Sequence, residues 1–394
     1  MMGSTFRFIH CADLHLGSRF KGLDSVNPEM AARLRQSVFD SFGRIVDKAL
    51  NERVDAMVIS GDLYDDRNEL PSTRAWLCRQ LSRLSIPVFI CRGNHDVQTT
   101  WDESIPYPDN VHEFPMEPEK VDVNDDVEII GVSYRERNDT RNLATQMQGT
   151  DGKFTIACLH CDIDSVSEGH PYAQCTLSDL RGRGVDYWAL GHIHKRTVVS
   201  EQPYIVYPGN IQGRSFKAPG AKGAYLVTVT SGRVTGLDFF STQGYIWKDI
   251  SVDITDRDFN DIISELRTML SRITISRITF TGSGKLNAML RKVGDDVRKT
   301  IEESTGSTVS TIRVRTSPEI DLEARAEGKD MAAAIIRAGR DMESMSREEI
   351  IDIICRNKVA ARYRPEFESM SDKKLKGIVT DAMRDVLTRM EAGR

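Results

Sequence analysis

Through about residue 245, short apolar runs alternate with longer stretches in which apolar residues return every three to five positions. That rhythm predicts strands alternating with helices, an α/β fold. Phe6–His10, Ala56–Ser60, Val88–Cys91, Val127–Val132, Phe154–Leu159 and Asp186–Leu190 read as strands. Tyr204–Tyr207, Ala224–Thr230 and Val234–Phe240 continue the series. Between the first two strands, Met30, Leu34, Val38, Phe42, Ile45 and Leu50 mark one face of a helix. A second helix is expected near Ser72–Leu84, because Pro71 suits a first helical turn, where its missing N–H has no partner to lose.

The pattern changes near Thr242–Lys248. Beyond it come a strand (Trp247–Val252), a helix (Phe259–Leu270), a strand (Arg277–Thr281), a helix (Leu286–Glu303) and a strand (Thr311–Thr316). That is a small βαβαβ unit of its own. From about Glu323 only helical signals remain: Ala332–Arg340, then a helix opened by the capping box Ser346-Arg-Glu-Glu349 and running to Cys355, then Ser371–Met390. The division expected is therefore 1–245, 246–322 and 323–394, with no internal repeat.

Composition narrows the class. The 394 residues are 40% hydrophobic and 28% charged, enough for a buried core and for more than one domain. No apolar run nears the roughly 20 residues that span a bilayer, and Met1–His10 lacks the pattern of a secretory signal, so a cytoplasmic protein is expected. Seven cysteines, an odd number spread along the chain, argue against a disulfide framework. A net charge of −5 removes the simplest electrostatic case for nucleic-acid binding and leaves room for a local basic groove.

The chemistry concentrates after the strands. Asp13-Leu-His15, Gly61-Asp62-Leu-Tyr-Asp65, Gly93-Asn94-His95-Asp96, His160 and Gly191-His192-Ile-His194 each follow an apolar run directly. Carboxyl ends of strands in an α/β sheet share one edge, where ligands bind. Six of the eight histidines lie in or beside these motifs, and histidine, carboxylate and one amide form a ligand set for divalent transition metals. Any one motif is weak evidence; five in order at strand ends are not explained by turn glycines and surface histidines.

This ordered set resembles that of the calcineurin-like metallophosphoesterases. Phe8-Ile-His-Cys-Ala-Asp-Leu-His-Leu-Gly17 and Tyr207-Pro-Gly-Asn-Ile-Gln-Gly-Arg214 further resemble the SbcD-type DNA repair exonucleases, particularly the YhaO-like branch. The resemblance implies a layered α/β metallophosphoesterase sandwich over residues 5–245, with the βαβαβ unit as a DNA-facing cap and a helical C-terminal tail. It places one metal on Asp13, His15, Asp62 and His194, and a second on Asp62, Asn94, His160 and His192, with manganese the implied ion. A bridging carboxylate at Asp62 would hold the two cations close enough to acidify a water between them. Gly191 is expected to allow the bend that turns both His192 and His194 inward.

By the same resemblance, His95 protonates the leaving oxygen or stabilises the transition state, and Asp65 orients it; Asp65 also suits a helix N-cap. Asp96 reads as an N-cap or as a support behind the ligands, and His10 as packing. Cys158-Leu-His-Cys161 has no second pair at usable spacing, so core and flanking positions are expected there.

Basic residues interleaved with aromatics suit a phosphodiester backbone and stacked bases. Arg19, Lys21, Arg67, Arg135, Arg137, Arg214 and Lys217 are the candidates for DNA contact. The leading reading is a metal-dependent DNA exo- or endonuclease; the alternative is a phosphodiesterase or phosphatase for small molecules or proteins at the same site. The family acts with a coiled-coil ATPase, SbcC-like, that grips C-terminal helices, and Ser371–Met390 suits that contact. It also forms homodimers, here expected through Glu29–Leu50 and Ser72–Leu84, which would leave some of Phe39, Phe42 and Ile45 exposed in one copy.

Overall fold

The computed structural model describes residues 5–18, 20, 28–65, 70–97, 104–164, 172–319 and 322–392. Three of the basic candidates, Arg19, Lys21 and Arg67, lie outside these described residues. In chain order the elements begin with β1 (Thr5–Cys11), α1 (Pro28–Glu52), β2 (Ala56–Ser60), α2 (Pro71–Leu81) and β3 (Val88–Cys91). Next come β4 (Val111–Glu113), β5 (Glu119–Asp122), β6 (Val127–Gly131), β7 (Phe154–His160), α3 (Leu177–Leu180) and β8 (Tyr187–Gly191). Strands β9 (Thr197–Glu201), β10 (Tyr204–Tyr207), β11 (Gly223–Thr230) and β12 (Arg233–Ser241) follow.

These strands form two six-stranded sheets, ordered β12-β11-β1-β2-β3-β4 and β5-β6-β7-β8-β10-β9. In the first, β1 to β4 run parallel while β11 and β12 join as an antiparallel pair. In the second, β6, β7, β8 and β10 run parallel between antiparallel edge strands.

Alternation along each strand sorts the side chains between two faces. Phe8, Val58 and Phe89 of the first sheet pack with Ile129, Ile156 and Ala189 of the second, so one core lies between the sheets. On the outer face of the first sheet, Ile9, Met57, Ile59 and Ile90 meet Leu34, Phe42 and Ile45 of α1 and Leu77 of α2. On the outer face of the second, Ile130, Leu159, Trp188 and Leu190 meet Leu143 and Leu180. The central strands are apolar on both faces because both faces are covered. The result is the layered α/β sandwich expected, built on two sheets.

The chain divides into two compact units, Met1–Asp249 with Arg272–Ser276, and Ile250–Ser271 with Arg277–Arg394. The later elements are β13 (Ile246–Asp253), α4 (Phe259–Met269), β14 (Thr274–Ser283), α5 (Leu286–Lys292), α6 (Gly294–Thr305) and β15 (Thr308–Ser317). The three strands form one sheet in the order β13-β14-β15. Ile262, Leu266, Leu290, Val297 and Ile301 pack with Ile278 and Phe280 to form its core. The single helix expected over Leu286–Glu303 is two helices. Val293 leaves helical geometry at φ −126° and ψ 39°, and Gly294, a poor helix former, starts a new helix with Asp295 and Asp296 in its first turn.

Beyond this core run α7 (Leu322–Ala326), α8 (Met331–Ser344), α9 (Arg347–Ile354), α10 (Arg364–Ser369) and α11 (Asp372–Ala392). Ile336 of α8 packs on Met383 and Leu387 of α11, and Ile350 and Ile351 of α9 pack on Leu375 and Val379. Ser346 caps α9 in the predicted reciprocal box with Glu349. No helix among the described residues is long and apolar enough to cross a membrane.

Candidate metal centre

The ends of β1, β2 and β3 from one sheet and of β7 and β8 from the other meet on the same side of the sandwich. The shared edge expected of a single sheet is thus the common edge of two. The loop after β1 runs beside the loop after β2: Asp13 N–H donates to Gly61 O at 3.0 Å, His15 N–H to Asp62 O at 2.9 Å and Leu16 N–H to Leu63 O at 2.8 Å. The His192 N–H donates to the Asp13 carboxylate at 3.1 and 3.3 Å, which ties the loop after β8 to the loop after β1.

Asp96, left open by sequence, stitches two of these loops. It is buried and accepts the Gly93 N–H at 2.9 Å and the Tyr64 N–H at 3.1 Å, so it joins the Asn94 loop to the Asp62 loop. His10 is a core residue, its Nδ1 lying 3.1 Å from the Tyr187 hydroxyl, and burial lowers its pKa to about 3.

Backbone strain gathers here. Asp13, His15, Asp62 and His192 all have positive φ (52°, 46°, 53° and 102°), a region that costs non-glycine residues free energy and recurs at functional sites. The bend expected at Gly191 is therefore taken by His192 itself. Gly191 is needed for a different reason, since a Cβ there would sit 1.7 Å from Ser60 O. Gly93 is constrained likewise, with its Cβ position 2.3 Å from Asp62 Oδ1.

Ligand atoms of Asp13, His15, Asp62 and His194 all lie within 4.8 Å of one another. His15 Nε2 is 3.0 Å from His194 Nε2 and 3.7 Å from Asp62 Oδ2, and His194 Nε2 is 3.9 Å from Asp13 Oδ1. On the other side of Asp62, His160 Nε2 is 3.5 Å from Asp62 Oδ2 and 3.1 Å from Asn94 Oδ1. His192 stacks edge-on to His160 with ring centroids 5.3 Å apart. All seven residues expected as ligands are thus drawn together around Asp62.

The electrostatics fit a cation. Burial, reinforced by the Arg214 charge, holds His15 well below its ordinary pKa and His194 down at about 3. Burial lowers His160 as well. These rings are therefore neutral near pH 7. His160 Nδ1 faces the Ser60 carbonyl at 2.9 Å; a carbonyl only accepts, so Nδ1 carries the proton and Nε2 presents its lone pair to Asn94 Oδ1, itself an acceptor. Burial and the neighbouring Asp62 raise Asp13 well above the carboxylate range. Burial acts on Asp62 in the same direction but is outweighed by His160, His95 and the His95 N–H, which leave it lowered. Lone pairs facing lone pairs and crowded buried carboxylates are the donor set of a divalent metal site.

His95 stands beside this group. Its N–H donates to Asp62 Oδ1 at 3.0 Å, and its ring meets His15 edge-on at 5.0 Å between centroids. His15, Asp65 and His95 offer atoms within 4.8 Å of one another. Asp65 accepts from Arg214 at 3.0 Å and lies 3.7 Å from His15 Nδ1. A cleft of about 300 Å³ opens over Asp62, Asn94, His95, His192 and His194, with Arg137 and Tyr172 on its rim. Tyr172, edge-on to His192 at 5.5 Å, had no signal in the sequence pattern. Arg135 pairs with Glu117, and Lys217 lies on a second cavity beside His194.

All seven cysteines are free thiols. Cys11, Cys91, Cys158 and Cys161 are buried beside the centre, and Cys161 Sγ lies 3.9 Å from Cys175 Sγ. Of the three residues expected at a dimer surface, Phe42 and Ile45 are fully buried within the first unit, and only Phe39 is partly exposed, against Trp76.

Comparison with known proteins agrees with this geometry. Residues 6–196 match the family model of calcineurin-like phosphoesterases. The chain is 40% identical to the uncharacterized metallophosphoesterase YhaO of Bacillus subtilis (strain 168) over 261 residues, 63% of each protein. It is 26% identical to the DNA double-strand break repair protein Mre11 of Sulfolobus acidocaldarius over 66% of this chain and 70% of that one. With its namesake from Methanocaldococcus jannaschii it shares 25% identity over 66% of this chain and 72% of the relative. The ordered motifs, their convergence at one edge and the family match together make residues 6–196 a calcineurin-like metallophosphoesterase domain.

Proposed function

We propose that the protein is a metal-dependent DNA nuclease of double-strand break repair that hydrolyses phosphodiester bonds. The observation that carries the reading is the convergence of seven candidate metal ligands around Asp62, in a chain whose relatives include proteins named for that repair. Asp13, His15, Asp62 and His194 would hold one divalent ion, and Asp62, Asn94, His160 and His192 a second, with manganese the ion expected. When bound, such a pair supplies an activated water and neutralises charge on the phosphoryl oxygens.

The chain's own residues do the rest. Asp62, fixed by the His95 N–H, serves both halves of the centre. His95, at the floor of the cleft, gives a proton to the leaving oxygen, and Asp65 holds its orientation from within the Arg214–Asp65–His15 group. Neutral Asn94 limits the negative charge facing an anionic substrate. Arg137 on the rim binds backbone phosphate, with Arg214 and Lys217 at the neighbouring cavity and Arg135, paired with Glu117, as a further contact.

The division of labour follows the chain. The catalytic part is taken through Asp249 rather than residue 245, since Trp247 is buried and its indole N–H donates to Gly213 O at 2.8 Å. The β13–β15 sheet with α4 to α6 positions DNA, and the helices after residue 322 bind an SbcC-like coiled-coil ATPase. Two copies pair through α1 and α2, where Phe39, Trp76 and the exposed Leu50 lie. Incubation with labelled linear and hairpin DNA tests the reading: cleavage with manganese and none without it is the expected result. Manganese-dependent hydrolysis of a small phosphodiester with intact DNA would replace the nuclease reading with that of a small-molecule phosphodiesterase.

A further inference from the structure

A cavity of about 690 Å³ adjoins the metal centre and shares His194 with the cleft above it. Among the described residues, four cations line this cavity, Lys195, Arg214, Lys217 and Lys222, and no carboxylate does. Two of them are built into the site. Arg214 is paired with Asp65, and the buried Lys222 ammonium donates to His194 O at 2.9 Å, fixing the backbone of a candidate ligand. The other two are exposed, and among the described residues no carboxylate lies within 4 Å of either ammonium group. The buried ring of Phe20 forms an apolar wall.

A pocket with two uncommitted ammonium groups and no acidic lining among its described residues attracts an anion. Its position sets which anion. It meets the reacting centre at a single shared residue, so a group bound there belongs to the molecule whose phosphodiester lies over Asp62 and His194. Nucleic acid carries a regular series of phosphates along each strand, whereas a simple phosphomonoester carries one.

We propose that this cavity is a subsite for the phosphate adjacent to the scissile one, held by Lys195 and Lys217. The inference rests on the nuclease reading and sharpens it: the enzyme recognises two consecutive phosphates of one strand. Lys195 directly follows His194 in the chain, so the residue that ligates and the residue that grips the next phosphate move together.

The experiment uses the full chain with added manganese and two pairs of chromogenic nucleotides. One pair is thymidine 5′-(p-nitrophenyl phosphate) with and without a 3′-phosphate; the other is the 3′-ester with and without a 5′-phosphate. The second phosphate is expected to lower KM about 5- to 10-fold in one pair, the range of two partly screened ion pairs, and the gain should shrink at high salt. In Lys195→Ala/Lys217→Ala the ratio within that pair should fall towards one. Calorimetric binding of thymidine 3′,5′-bisphosphate against the monophosphates reads the same preference without turnover, and the doubly substituted protein should lose it. DNA cleavage by a protein that shows no second-phosphate effect in either pair, or an effect unchanged in the double variant, overturns the subsite and spares the nuclease reading. A protein that hydrolyses the nucleotides but not DNA, and shows no second-phosphate effect, overturns both.

Discussion

The two compact units are built on opposite principles. In the first, ionisable side chains are buried: Asp13, Asp62, Asp96, Arg74, Glu128, Asp139, His160 and Lys222 all lie inside it. In the second, no buried side chain among the described residues carries charge, and the buried polar groups are Asn287, Ser307, Thr316 and Ser317. All eight histidines belong to the first unit. Buried charge costs stability unless it is paired or bound, so its concentration marks where the fold has been shaped around a ligand. The interior of the second unit is built by apolar packing with a few neutral polar groups, and its exposed apolar residues, Met269, Met331, Val359, Tyr363 and Val386, lie on or between its helices.

That contrast can be broken experimentally. The largest effect is expected from Gly191→Ala, where a methyl group must displace the Ser60 carbonyl that orients His160. About 3 kcal/mol of stability should be lost, together with metal affinity, as read by thermal melting and elemental analysis. An alanine variant that melts and binds metal normally would show that the close approach is not required. Next comes His95→Asn, which keeps the backbone donor to Asp62 and removes the imidazole. Metal content should stay near two ions per chain while the cleavage rate drops roughly 10²-fold, the scale of a lost general acid. Unchanged turnover at saturating manganese would end the catalytic role.

Ile336→Ala probes the other unit, where the side chain is fully buried against Met383 and Leu387. It should cost about 2–3 kcal/mol and leave metal content untouched. If metal content fell with it, the units would not be energetically separate. The smallest effect is Ser346→Ala, which removes the cap of α9 for about 1 kcal/mol by denaturant midpoint.

The same contrast explains what could be read from the chain. The strands of the first unit were legible because burial on both faces makes continuous apolar runs, as in Ala56–Ser60 and Phe154–His160. The candidate ligands that the fold brings together were legible because they follow those runs directly. Edge strands β4, β5 and β9 left no such run; β5 reads Glu-Lys-Val-Asp. The break at Val293 was hidden because the apolar spacing continues through it into α6. The strain at His192 could not be read, since glycine at 191 is the residue that sequence associates with a bend, yet it is required by Ser60 instead. Asp96 was ambiguous because its partners, the Gly93 and Tyr64 backbones, are set by how two loops meet rather than by its neighbours. Tyr172 gave no signal because its place at the cleft depends on the loop after β7.

On the proposed reading, one carboxylate, Asp62, joins two halves of a dinuclear centre that cleaves DNA. Manganese titration of metal-stripped protein, with DNA cleavage followed on the same sample, tests it most directly. The wild type should take up two ions per chain, with cleavage appearing as the second binds, and Asp62→Ala should retain neither ions nor activity. Two ions held by Asp62→Ala, or full cleavage with one ion bound to the wild type, would contradict it.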